Sequence, residues 1–299
     1  MIAVEKTQAS RDSSFGSRLR DIVKFIFATP KLLAGILLLV FLALIGTAGP
    51  FLVDVKKAQP ISVPTNKPPS AQYLLGTDSG GRDLLAVIVV GTPQTLRMGL
   101  LAGLVGTLFG TLLGLIAAYY GGMIDAIISA ITDIMLTIPP LAVLLVVAAS
   151  VRAVSVEAMA LIIASLSWMF SARTIRAQVL SLKEQPYIHM SRLAGLNDWR
   201  VITEELFPNL LPLVVASFVG AVSGAILAGI GLEVLGLGPQ NTPTLGMTIY
   251  WAMLYSALIR GMWWWWLPPI LILIILFMGL FLVSTALDEY ANPRLRRAA

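Results

Sequence analysis

The stretch MGLLAGLVGTLFGTLLGLIAAYYGGMI, residues 98–124, decides the class of this fold. It runs 27 residues without a charge, between Arg97 and Asp125. A helix of about 20 apolar residues crosses the hydrocarbon core of a bilayer. Such a helix satisfies its own backbone N–H and C=O groups within one segment, as a span in lipid must. The same reading finds five more spans, at 32–53, 134–151, 158–172, 206–232 and 261–287. The fourth is short and extends to Arg176, with Arg173 reaching out to the interface. The expectation is an all-α membrane protein with six transmembrane helices.

Composition points the same way. Of 299 residues, 57% are hydrophobic and 12% charged, and mean hydropathy is +0.85. A soluble domain is about 25% charged. This balance excludes a soluble enzyme, a disordered chain and a nucleic-acid-binding protein. The chain has no Cys and one His, so neither a disulfide framework nor a metal site is expected.

Basic residues orient a multi-span chain. With both termini in the cytoplasm, the inner segments are 1–31, 119–133, 173–205 and 288–299. They hold 14 of the 21 Lys and Arg: Lys6, Arg11, Arg18, Arg20, Lys24, Lys31, Arg173, Arg176, Lys183, Arg192, Arg200, Arg294, Arg296 and Arg297. The first span reads as a retained signal anchor, since its charged leader and apolar run exceed those of a cleaved signal. Before it, Phe15, Leu19, Ile22 and Ile26 recur at helical spacing, as in a helix lying on the inner surface. The division expected is a cytoplasmic tail at 1–31, a transmembrane domain at 32–287 and a second cytoplasmic tail at 288–299. Within the domain lie an outer loop at 54–92, a cytoplasmic loop at 177–207 and an outer loop at 233–262. The last of these is rich in Gly and Pro from Gly236 to Pro243, so it reads as a loop with a short or re-entrant helix. The four tryptophans Trp263 to Trp266 read as an interfacial aromatic belt, and stacking on a substrate or docking protein is the other use open to them.

The cytoplasmic loop is punctuated. Pro186 suits the first turn of a helix, Gly195 suits a left-handed end, and Asn197 or Asp198 can cap the next helix. Pro208 interrupts that second helix as the chain enters the fifth span. A compact helix–turn–helix of this kind is expected to dock a soluble partner.

Here the sequence resembles a known family. Gly195 and the pair Phe207–Pro208 are similar to the Gly and Leu-Pro of the EAA loop of ABC-type importer permeases. His189, Met190 and Ser191 stand where that loop has Glu, Ala and Ala. Leu75-Gly76-Thr77-Asp78 with Gly81-Arg82-Asp83, Asp133 with Pro139, Leu235-Gly236-Leu237-Gly238 with Pro243 and Gly246, and Asn292-Pro293-Arg294-Leu295 resemble runs of the C-type permease subunit of oligopeptide and dipeptide importers. The resemblance implies a type I importer permease fold in a prokaryotic plasma membrane. It implies a homologous B-type permease, two cytoplasmic ABC ATPase subunits that bind ATP and Mg²⁺, and an extracytoplasmic solute-binding protein. It implies import of peptides, with oligosaccharides as the alternative cargo. The chain itself has no Gly-x-x-x-x-Gly-Lys-Ser/Thr phosphate loop, so no ATPase activity and no cofactor of its own are expected.

By that resemblance, Pro186, Tyr187, His189, Ser191, Arg192, Gly195 and Pro208 are the residues expected to couple to the ATPases. Asp78, Arg82 and Asp83 are expected either to brace the outer loop or to meet the binding protein. An ion-coupled secondary transporter is the competing class. It would place carboxylates or His within the membrane, and the nearest such residue, Asp133, falls at an inner edge.

Overall fold

The computed structural model describes residues 26–151 and 154–291. Most of the expected N-terminal surface helix and the Asn292–Leu295 tail lie outside the described residues. Helix α1, Pro30–Leu52, opens on a proline whose missing N–H costs nothing in a first turn. A short 3₁₀ turn, Val55–Ala58, begins the loop that leads to α2, Leu84–Tyr120. Helix α3, Gly122–Thr137, and α4, Pro140–Ser150, meet at 84° across Ile138 and Pro139. Then come α5, Val156–Lys183, α6, Pro186–Leu193, and a helical lead-in that continues into α7, Phe207–Val234. Helices α8, Leu245–Leu254, and α9, Trp263–Ala291, complete the chain. Among the described residues five helices are long and apolar enough to cross a membrane, and six if the bent α3–α4 pair counts as one span.

The expected third span 134–151 breaks at Ile138 and Pro139, and most of the expected inner segment 119–133 is helical; beyond that, the sequence-based boundaries shift most in two places. Helix α2 starts 14 residues before Met98, because the Asp83 carboxylate accepts the Leu85 N–H at 3.0 Å and caps it. Residues 84–92, expected in a loop, are therefore helical. At 37 residues α2 is about 55 Å long, well beyond a hydrocarbon core of about 30 Å. Arg97, expected at the membrane edge, pairs with Glu157 at 2.8 Å near the start of α5. The second shift is at Pro208, where the helix is not interrupted. The backbone loosens into a π-helical turn over Val201–Leu206 and carries on into α7. A wider turn absorbs the N–H that proline lacks.

Helices α2 and α5 run side by side. A Cβ on Gly110 would overlap the Trp168 carbonyl, and one on Gly114 the Ala172 carbonyl. Small residues that let backbones approach this closely are the usual glue between helices in lipid. Helix α1 pairs with α9, and Lys31 bonds Glu289 at 2.6 Å. The start of α1 and the last turns of α9 therefore share one end of the bundle. Helix α7 packs against α2, α5 and α9. On α2, Leu100, Leu104, Leu108 and Leu112 form an exposed stripe one turn apart. A soluble protein does not leave such a stripe to water, whereas a bilayer covers it.

The alternation of spans leaves two ends. One, the loop end, carries residues 53–83 and 235–262. The other, the short-helix end, carries α6 and residues 194–206. At the loop end, α8 is buried: Thr95 of α2 accepts the Leu245 N–H at 3.0 Å. The tryptophans divide here. Trp265 is fully buried among Leu84, Met247, Trp251 and Met262, and Trp264 points its indole N–H at the Thr77 carbonyl, 3.4 Å away. Trp263 alone of the four is largely exposed. An aromatic belt does not describe this set, because two of the rings knit the loop end together.

Candidate functional site

Helix α6 is the most exposed helix of the short-helix end. Pro186 occupies its first turn. Gly195 has φ +83°, a left-handed conformation that a Cβ would strain. The Leu196 N–H reaches back to the Ser191 carbonyl at 3.2 Å, closing the turn. Asn197 then caps the next helix by accepting the Arg200 N–H at 3.0 Å. One side chain of α6 points inward. Ile188 is 0% exposed and joins a core of Leu115, Ala118, Ile175, Val179, Val201 and Leu206. That core draws on α2, α5 and the turn before α7, so α6 is tied to three elements at once.

The opposite face is unpartnered. Met190 is 66% exposed and Leu193 83% exposed. At about 100° per residue they stand roughly opposite Ile188. Trp199 adds a third exposed apolar group. Exposed apolar groups clustered in this way mark a protein or membrane contact. Sequence reasoning placed weight on His189, Ser191 and Arg192 and missed Met190 and Leu193, although their spacing opposite Ile188 was the readable signal.

The expected residues fall in different settings. His189 is exposed, its Nε2 3.9 Å from Glu184. Tyr187 is half-exposed and its hydroxyl accepts from the Asn209 side-chain amide at 3.5 Å; burial pushes its phenol upward. Ser191 is partly buried. Arg192 turns back toward the bundle, its guanidinium carbon 5.1 Å from the Tyr119 ring centre. The Tyr119 hydroxyl donates to Asp198 at 2.6 Å. Tyr119 thus bolts the last turn of α2 to both sides of the Gly195 turn, and nothing in the local sequence signalled it. Pro208 sits at the start of α7, below the π-helical turn.

Between α4, α5 and α7 lies an open groove of about 380 Å³. It is lined by Leu144, Phe170, Ser167, Ser171 and Thr174 on one side and by Ser217, Gly220, Ala221 and Gly224 of α7 on the other. A Cβ on Gly220 or Gly224 would meet nothing within 4 Å. These glycines face open space rather than a packed neighbour. No charged residue lines the groove. Toward the loop end a second cavity, about 420 Å³, lies between Ala148, Ser155 and the 236–242 loop.

One acid just past the expected fifth span is enclosed. Glu233, in the last turn of α7, is 0% exposed. Its carboxyl lies against the first turn of α8, beside the Thr244 hydroxyl and the Gly246 and Met247 amides, yet no donor meets it in hydrogen-bonding geometry. A Cβ on Gly246 would overlap that carboxyl. Asp133, the residue weighed for ion coupling, is exposed and sits 3.9 Å from Arg173. Asp125 and Arg176 pair at 2.7 Å across α3 and α5.

At the loop end, Asp78 and Asp83 face inward. Asp78 accepts the Arg82 backbone N–H at 2.8 Å. Burial pushes its carboxyl above the usual range, and hydrogen bonding to the Arg82 amide and attraction to the Arg82 charge oppose that rise. Asp83 is spent on capping α2. The Arg82 guanidinium lies over the Trp251 ring, 3.6 Å from its centre.

Residues 110–297 match the family described as binding-protein-dependent transport system inner membrane component. The dipeptide transport system permease protein DppC of Haemophilus influenzae is 33% identical over 222 residues, which is 72% of this chain and 75% of that one. The oligopeptide transport system permease protein OppC of Lactococcus lactis subsp. cremoris is 28% identical over 61% of this chain. The match spans 62% of that relative's length. Among solved structures, an inward-facing form of the MetNI methionine ABC transporter aligns with a TM-score of 0.51 at 20% identity. It covers 67% of this chain and 96% of that one, a likeness of fold.

Proposed function

The chain belongs to the family of binding-protein-dependent transport system inner membrane components, and from that premise we propose that it is one of two permease subunits of an ABC importer that carries peptides into a prokaryotic cell. The observation that carries the reading is α6. It is anchored inward by Ile188 and presents Met190 and Leu193 outward at the end of the bundle opposite the loops. An ATPase subunit bound to that face, holding ATP and Mg²⁺, would move α6 as it closes. The shared Ile188 core and the Tyr119–Asp198 bond would pass the motion to α2, α5 and α7 as a rigid-body rocking.

In this reading the short-helix end and both termini are cytoplasmic, and the loop end meets a solute-binding protein outside. The uncharged groove between α4, α5 and α7 forms this subunit's half of the pathway, and a homologous permease supplies the other half. Peptides are the favoured cargo because the similar proteins are named as oligopeptide and dipeptide permeases. An uncharged wall tolerates varied side chains and leaves selection to the binding protein. Ion coupling is disfavoured by the exposure of Asp133 and because Glu233 is not among the residues that line the groove.

The test is a reconstituted complex carrying Leu193→Arg or Gly195→Pro. Both variants should insert normally and lose most substrate-stimulated ATP turnover, Leu193→Arg by weakened ATPase association. Wild-type turnover with normal association in both would remove α6 from the coupling role.

A further inference from the structure

Among the described residues Arg82 makes no salt bridge, although the Asp78 carboxylate faces it and attracts its charge. The Gly80–Gly81 turn fixes its backbone, with Gly81 at φ +71°, and Asp78 binds its amide N–H rather than its side chain. The guanidinium plane is held by Trp251, 3.6 Å from ring centre to carbon. Its Nε is buried with no hydrogen-bond partner. Among the described residues no carboxylate lies within 4 Å of it in an ion pair. Asp83 is committed to capping α2, and Glu233 is enclosed against α8. Stacking on Trp251 and attraction to Asp78 offset part of the cost of half-burying this charge, and the buried Nε–H is left without an acceptor.

The same guanidinium lines a cavity of about 250 Å³ at the loop end, with Gln59, Gln240, Asn241 and Trp251 among its walls. Gln59 and Asn241 bring side-chain amides to the cavity wall, while the Gln240 amide donates to the Gly236 and Gly238 carbonyls. The loop segments that carry it expose Lys56, Lys67 and Arg260 against the single exposed acid Asp54, and Arg260 reaches Ser79 of the neighbouring turn at 3.0 Å. A flat, stacked guanidinium beside amide donors in a basic field suits a carboxylate bound through two parallel hydrogen bonds.

We propose that the Arg82 cavity receives an aspartate or glutamate side chain of the extracytoplasmic binding protein. The inference rests on the importer reading above and names the chemistry of the contact. A protein side chain fits better than a free solute, because the walls come from three loop segments at the end farthest from α6. Gln240 and Asn241 also line the second cavity above the groove. An acid seated on Arg82 would therefore grip the loop that stands over the pathway, so that docking and opening act on one element.

The experiment titrates the complete reconstituted transporter with peptide-loaded binding protein and follows ATP hydrolysis. Arg82→Gln should raise the half-maximal binding-protein concentration about tenfold or more, the scale of a lost charge-assisted pair. The shift should shrink at high salt, where exposed charges are screened. Arg82→Lys should recover only part, because an ammonium cannot make the paired contact. Arg82→Glu should be rescued by one Asp or Glu changed to Lys on the binding protein. Three results would overturn the inference. One is an unmoved half-point in Arg82→Gln. Another is a lowered melting temperature with an unmoved half-point, which makes Arg82 a brace. The third is a wild-type half-point that shifts equally when the peptide is C-terminally amidated, which makes the solute the source of the carboxylate. A wild-type complex that no binding protein stimulates would sink the importer reading and this contact with it.

Discussion

Asp78 is the residue whose chemistry is set most directly by burial. It lies 2% exposed in the loop before α2, and its carboxyl is raised because removal from water disfavours the charge. The folded state then holds the proton more tightly than the unfolded chain. Stability from this group is full below the unfolded value, and it is lost as pH rises through the folded value. Arg82 is the charged group facing it and offsets part of the cost. Asp78→Asn keeps an oxygen for the Arg82 N–H and removes the titration. The melting temperature of the purified variant should therefore vary less steeply with pH than wild type as pH rises above the ordinary aspartate value of about 4, and not be lower at neutral pH. An unchanged pH slope would show that Asp78 is not the titrating group. The sequence showed that Asp78, Arg82 and Asp83 belong to one ordered loop. It did not show that one acid caps a helix, one binds an amide, and neither forms a salt bridge with the arginine. Those assignments depend on which way each side chain turns at the Gly80–Gly81 bend.

Among the elements, the α2–α5 pair depends most on what is missing from its surface. Gly110 and Gly114 leave room for the Trp168 and Ala172 carbonyls. Gly110→Leu would force the helices apart at a contact with no flexible side chain to yield. Overpacking of this kind costs typically about 1–3 kcal/mol, and the backbone contact puts this site at the upper end. The variant should melt several degrees lower in detergent and give less assembled complex. A melting temperature equal to wild type would mean that α5 slides without penalty. The glycine spacing was visible in the sequence, but which helix it faced was not. The α6 element shows the same division. Pro186, Gly195 and Asn197 marked its start, its end and the next cap, because those residues encode backbone geometry locally. Its inward anchor and outward knobs became distinct only once a core from α2 and α5 claimed Ile188.

For the whole molecule, orientation is the property on which the proposed function stands. Lys31 and Glu289 meet at the end that carries α6, so both ends of the described chain share a side. In the proposed orientation, which the basic bias favours, that side is the cytoplasm. The chain has no Cys, so single cysteines give a clean test. An impermeant maleimide on intact spheroplasts should label positions 67 and 242 and leave 193 unlabelled until the membrane is opened. Labelling at 193 in intact cells would invert the molecule and end the reading of α6 as an ATPase contact.

The sequence by itself determined the solvent, the number of crossings and their order. Runs without charge, proline at helix starts and glycine at left-handed turns act over a few residues, so they are legible without a fold. It also carried the family, through short runs whose residues serve local turns and caps. Tertiary structure alone decided which face of each helix meets lipid, groove or neighbour. It drew Trp264 and Trp265 out of an expected belt and into a core, enclosed Glu233 against α8, and left Arg82 stacked on Trp251 without a salt bridge. In an apolar chain nearly every helix face is hydrophobic, so periodicity cannot separate a face that packs from one that faces lipid. Only the approach of a particular partner, set by glycine gaps and buried polar groups distant in sequence, makes that choice.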